Sequence, residues 1–324
     1  MGDFDARVKE YMSRNDRFAD AFNFYLYGGK HVIKPDALRE LDTSGIAIPY
    51  APESGKPVQK YRDVFKSWKV MSDGRAIYAL LGTELQKKVH YAMPVRNLLY
   101  DAINYSDQVK QAGQKNRRTA WNKSQRFSSA EFLSGFKKSD RLIPVITLTI
   151  FFGADEWDGP KTLHEMFGDE YEEFAEYLPD YRLNLLEPAG INPVDFEKFD
   201  SELGTVLEYI KYSKDEQKLE SAISNNEKYR SVDRDTAGLI KEATGSELEL
   251  KEEEGKVDMG QAINDMKRHS RMDGVREGKI EGKVEGKIEE LVFLVKEGDI
   301  SVVRAAGRLE ITPEEFTEKY LKEE

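Results

Sequence analysis

The chain reads as an α/β sandwich followed by a helical tail, and three observations predict it. Asp73-Gly74 stands between two β-like runs, residues 61–71 and 75–86, and Asp-Gly is a strong hairpin signal. A nearly continuous apolar run at residues 142–152, LIPVITLTIFF, is rich in β-branched residues, as a strand buried on both faces should be. Helical periodicity precedes the hairpin and separates it from that run. The order helix, strands, helix, buried strand gives the sandwich.

Taken in order, residues 8–27 place Phe18, Phe22 and Leu26 at a four-residue rhythm, which predicts one amphipathic helix stopped by Gly28-Gly29. A loop with Pro35, Pro49 and Pro57 follows, with a short strand near residues 38–41. Beyond the hairpin and His90, a helical pattern runs from Met93 to about Val109. Residues 110–141 are polar and basic and read as a long loop or flap. Trp157-Asp158-Gly159-Pro160 is a turn, residues 181–186 are a short strand, and residues 195–223 are helical.

The first domain is taken as residues 1–250 and the tail as residues 251–324. In the tail Gly274, Gly278, Gly282 and Gly286 recur every four residues, with Glu277, Glu281, Glu285 and Glu289 at the same spacing. Ile280, Val284 and Ile288 form a narrow apolar stripe. Each glycine inside a helix costs roughly 1 kcal/mol relative to alanine. Such a helix needs a partner, and small residues allow close approach, which reads as a homo-oligomerising or docking arm. A partly helical linker is the competing reading. Asp299 and Thr312-Pro313-Glu314-Glu315 look like starts of short terminal helices. With 5 basic and 10 acidic residues from Ile288 onward, this end suits protein contact better than DNA.

Composition narrows the function classes. The 324 residues include no cysteine, which excludes disulfides and thiolate metal sites and fits a reducing cytoplasm. Four scattered histidines show no zinc-hydrolase spacing. No apolar run approaches the roughly 18 residues of a membrane span, and Met1 to Ala6 carries no hydrophobic signal, so the expectation is a cytoplasmic protein without a membrane partner. The net charge of −11 argues against a nucleic-acid partner until its distribution is seen. Residues 55–141 carry 18 Lys/Arg against 7 Asp/Glu. A basic segment suits a polyanionic substrate; neutralisation of the acidic remainder within the fold is the competing reading.

The chemistry-bearing constellation follows from the hairpin. If Asp73-Gly74 are its two loop residues, paired residue numbers add to 147 and Asp63 lies opposite Glu84. Directly opposed residues share a face with Cβ atoms roughly 4.5–5.5 Å apart, and Gln86, two residues on, shares it too. Two such carboxylates repel unless a cation lies between them. Mg²⁺, with Mn²⁺ as the alternative, is held by one or two carboxylates plus waters and phosphate oxygens, and can activate water against a phosphodiester. A solvated cross-strand pair compensated by Lys66 or Arg62 is the plainer reading.

These residues, Arg62-Asp63-Val64, Leu81 to Gln86, and Met93-Pro94-Val95-Arg96 with Tyr100, resemble the Rpn-type family of recombination-promoting nucleases and transposase-like proteins. FADAFNFYLY, FLSGFKKSDRLIPVITLTIFFG, the EWDGP turn and YIKYSKD extend the likeness over residues 7–245. The resemblance implies a PD-(D/E)XK-like restriction-endonuclease core, a mixed sheet flanked by helices, and metal-dependent DNA cleavage linked to recombination. It maps the metal acids onto Asp63 and Glu84, and onto Gln86 a glutamine in place of the usual lysine. An acid of the first helix, Asp20 or Asp16, completes the site. Arg96 contacts phosphate or pairs with a neighbouring acid. Lys115, Arg117, Arg118, Lys123, Arg126, Lys137 and Lys138 are the expected DNA-backbone cations. Glutamine cannot act as a base, although it can orient water. A non-catalytic interaction protein of the same fold is the second reading. A transposase in the strict sense would need end-recognition machinery of which there is no sign.

Overall fold

The computed structural model describes residues 3–42, 44–47, 58–72, 75–123 and 128–322. Two helices open the chain, α1 (Asp3–Ser13) and α2 (Asn15–Tyr27), where the sequence pattern predicts one. The break is at Arg14, whose backbone is extended. Lys66 Nζ reaches into the break and donates to Ser13 O and Asn15 Oδ1, both at 2.6 Å, so the end of α1 has a partner other than the next turn. Gly28, left-handed at φ 62°, closes α2 by donating to Phe24 O.

Strands β1 (Leu38–Glu40), β2 (Ser44–Ala47), β3 (Val58–Tyr61), β4 (Val64–Ser72) and β5 (Arg75–Gln86) follow. Asp73-Gly74, Pro49 and Pro57 lie outside the described residues. The β4–β5 ladder runs from Ser72↔Arg75 to Val64↔Thr83, and every pair adds to 147. Helix α3 (Met93–Lys123) crosses over to β6 (Val145–Phe151), which pairs parallel to β5 and to β7 (Asn184–Leu186). The result is a mixed five-stranded sheet in the order β1-β4-β5-β6-β7, flanked by helices.

Two strand faces fix where the chemistry falls. Leu81, Leu148 and Ile150 are buried on one face, packed into the core. On the other, Thr147 and Thr149 of β6 face α3, where Thr147 bonds Asp101 and Thr149 accepts from Asn97. β6 is buried on both faces, as the apolar run predicts, with Thr147 and Thr149 standing between Val145 and Phe151 on the face toward α3.

Residues 110–141 differ from expectation. α3 continues through them to Lys123, and a short helix, α4 (Ser129–Ser134), starts with a Ser128/Glu131 capping box. A solvated helix of polar residues has no apolar period to betray it, which is why it reads as a loop. Gly113 in α3 admits close approach: a Cβ there would sit 3.7 Å from Gly135 O.

The rest of the first unit is helical, with α5 (Leu203–Tyr212), α6 (Glu216–Asn225), and α7 (Arg234–Thr244). A small sheet joins β8 (Val232–Asp233), β9 (Glu252–Glu253) and β10 (Lys256–Val257). The chain divides into two compact units, Met1–Gly260 and Gln261–Glu324. In the C-terminal region α8 (Met259–Lys296) is one helix through the glycine repeat, followed by α9 (Val302–Arg308) and α10 (Pro313–Phe316). Leu291, Ala305, Ala306 and Phe316 form the small core of the second unit. α9 starts from Ser301, two residues beyond the expected Asp299, whereas α10 starts on the Thr312/Glu315 capping box. Among the described residues, no helix is long and apolar enough to cross a membrane.

Candidate active site

Asp63 sits in the bend just before β4, one step past the last ladder pair. Its Oδ2 accepts a 2.8 Å hydrogen bond from Leu85 N–H, which pins the carboxylate to β5 beside Glu84. Burial pushes its pKa up; the Leu85 N–H, Arg96 and Lys9 oppose that, and Asp5 reinforces it. Glu84 follows on β5 and is completely buried.

Glu84 is the most strained electrostatic element of the site. Its Oε2 lies 3.0 Å from Arg96 Nη2, and among the described residues neither carboxylate oxygen accepts a well-aligned hydrogen bond. Burial first, and the Asp63 charge second, push its pKa up to about 8. Arg96, Arg62 and the Asp63 backbone N–H pull the other way without cancelling this. A buried carboxyl group so poorly supplied with donors stays protonated near neutral pH unless a further cation joins it.

Arg96 comes from the first turn of α3, and its Nε donates to Tyr100 OH at 3.3 Å. Beneath the pair lies a polar network that the sequence gives no means of seeing. Arg62 donates to Thr147 Oγ1 at 2.7 Å and to Asp101 Oδ1 at 2.6 Å, and Tyr181 OH donates to Asp101 Oδ2 at 2.7 Å. Gly82 makes room for it, since a Cβ there would collide with Arg62 Nη1. Arg62 is therefore buried and paired with Asp101, and is not the solvated counter-ion of a surface pair.

Asp63 borders a cavity of about 480 Å³, with Gln86, Lys88, His90 and Arg96 in its wall together with Asp5 of α1, while Glu84 stays buried outside that wall. Gln86, two residues from Glu84 and on the same strand face, is partly exposed there.

The helical acid expected at the site is not brought there. Asp20 accepts from Ser201 N at 2.8 Å, Ser201 Oγ at 2.6 Å and Asp200 N at 3.1 Å, holding the entry to α5. Asp16 pairs with Arg14 at 2.9 Å. Both line a separate cavity with His31 and Ser201. The break at Arg14 makes α2 a second helix, and the acid that α1 contributes is Asp5. Sequence reasoning missed it by starting the helix at Val8; an acid in the turn before an amphipathic pattern was the available signal.

Nor does the basic segment roof the site. Arg117 and Arg118 lie 21 and 22 residues along α3 from Arg96, about 32 Å at 1.5 Å per residue. Lys115 shares that end, Lys137 and Lys138 follow α4 packed against it, and Lys123 ends α3. Arg126 lies outside the described residues. The cations at the cavity are Arg96, Lys87 and Lys88.

Among the described residues, no three or more His, Cys, Asp or Glu side chains assemble as a metal-binding group. The acids that stand together here are two, Asp63 and Glu84. Mg²⁺ accepts one or two protein carboxylates, with water and phosphate oxygens completing its shell, and the undersupplied oxygens of Glu84 fit such an ion. No family model, no curated protein and no solved structure matches the chain.

Proposed function

We propose that the protein is a Mg²⁺-dependent endonuclease that cleaves DNA with little sequence preference, a nuclease of the Rpn type built on a PD-(D/E)XK-like core. The carrying observation is Glu84, a fully buried carboxylate beside Asp63 whose oxygens lack aligned donors. The order of helix, hairpin, crossover helix and parallel strand is compatible with such a core. Asp63 and Glu84 would hold Mg²⁺ or Mn²⁺. When bound, the ion supplies an acidified water and neutralises charge growing on the scissile phosphate. Gln86 orients that water through its amide, which can donate and accept but cannot take the proton. Arg96 and Lys88 attract the phosphates, so binding should read charge more than base edges. The glycine-repeat tail serves homo-oligomerisation.

One observation favours the second reading, an interaction module that keeps the fold without turnover. Arg96 already stands on Glu84, and Gln86 provides no base. Supercoiled plasmid incubated with Mg²⁺ separates the two. The wild type should nick it, and Asp63→Ala and Glu84→Ala should each lower the rate by at least about a hundredfold. Equal nicking by all three proteins would remove the site assignment; no nicking by any of them would favour the interaction module.

A further inference from the structure

Two surfaces of the first unit lie outside this site, and their chemistry is complementary. The first is the tip of the α3–α4 arm. Asn116 Nδ2 donates to Gly135 O at 3.0 Å and to Asp140 Oδ2 at 2.7 Å, and Gly135 packs against Gly113. So fixed, α4 turns Phe132 and Leu133 outward, 76% and 87% exposed. Residues 110–141 hold nine Lys/Arg and two acids. Both acids are engaged locally: Glu131 caps α4, and Asp140 accepts from Asn116 and Lys137 N–H. The tip is thus an apolar pair in a basic field.

The second surface is the loop of residues 163–181. A Thr162↔Arg182 bridge closes its base, reinforced by Leu163 N–H on Tyr181 O and Leu183 N–H on Lys161 O. It contains seven Asp/Glu and no Lys or Arg. Between the acids stand Tyr171, Phe174 and Tyr177, exposed at 49%, 48% and 77%. Here the aromatics lie in an acidic field.

We propose that the basic arm of one copy docks onto the acidic aromatic loop of a second copy of this chain. Phe132 and Leu133 meet Tyr171, Phe174 and Tyr177 at the centre, and the opposite charges form the rim, as recognition interfaces are commonly arranged. DNA on the arm would use its cations but leave the Phe132-Leu133 pair in water, and the acidic loop would repel it. A second copy accounts for both surfaces at once. This docking is independent of the nuclease reading and uses no residue of the glycine repeat.

Charge reversal on the full chain tests it by sedimentation velocity. Arg118→Glu with Lys138→Glu reverses the arm; Glu172→Lys with Glu173→Lys reverses the loop. Each double variant alone should associate at least about tenfold more weakly than the wild type. An equal mixture should recover association, because reversed arm meets reversed loop while natural arm meets natural loop. Phe132→Ala with Leu133→Ala should also weaken it with the charges intact. Wild-type association should weaken as salt is raised. Association unchanged in every variant, or a mixture no stronger than its components, would overturn the docking. So would a wild type monomeric at about 100 µM whose arm-reversed variant loses duplex DNA binding, which would make the arm a nucleic-acid surface.

Discussion

At the scale of single residues, the burial of Glu84 costs the fold stability near neutral pH. A carboxyl group ordinarily near 4.5 is pushed up to about 8 by burial and by Asp63. Below about pH 4.5 both the unfolded and the folded chain keep it protonated. Between there and pH 8 the unfolded chain ionises it and the folded chain does not, so folding stability falls as pH rises through that window. Glu84→Gln removes the titration while keeping the shape. Without divalent ions we expect it to raise the melting temperature at pH 7.5 by several degrees, with the gain shrinking towards pH 4.5. Mg²⁺ should stabilise the wild type by mass action and leave the Gln variant unmoved. Thermal melts at three pH values, with and without Mg²⁺, check both statements. A wild type more stable than Glu84→Gln at pH 7.5 without metal would remove the strain argument.

At the scale of elements, Asp20 belongs to the packing of α2 against the start of α5 and not to the cavity. Asp20→Ala leaves Ser201 N–H, Ser201 Oγ and Asp200 N–H without their acceptor. We expect a loss of about 2 kcal/mol or more in urea unfolding, with the nicking rate unchanged at temperatures where the variant is folded. A loss of cleavage with full stability would return Asp20 to the proposed metal site. The same elements show what was legible. The β4–β5 register could be read because a two-residue loop and a side-chain period of two leave little freedom, and it sets Asp63 against β5, where Leu85 N–H holds its carboxylate. The burial of Glu84 was signalled by its apolar setting, IYALLGTELQ. The length of α3 was not legible, because its solvated half carries no apolar rhythm. Nor was the Arg14 break, which depends on Lys66 arriving from β4. The Arg62–Asp101–Tyr181 network joins residues 39 and 80 positions apart, and local pattern cannot report such contacts.

For the molecule as a whole, charge is segregated rather than balanced. The basic arm is carried away from the carboxylate pair along α3. The glycine repeat poses the parallel question for the C-terminal region, where α8 is helical throughout. Gly278, Gly282 and Gly286 are exposed, and a Cβ added to any of them meets nothing within 4 Å in the single chain. Their replacement by alanine therefore carries no steric cost there and gains roughly 1 kcal/mol of helix propensity at each position. We expect Gly278→Ala, Gly282→Ala and Gly286→Ala combined to slow amide exchange across the middle of α8. If that stripe is where tails meet, three methyl groups also hold the backbones apart, so tail-mediated association should weaken while the helix itself grows more protected. Hydrogen exchange and sedimentation of the same variant read the two effects separately. Slower exchange with undiminished association would make the repeat a helical linker, and faster exchange would contradict the open space around all three glycines.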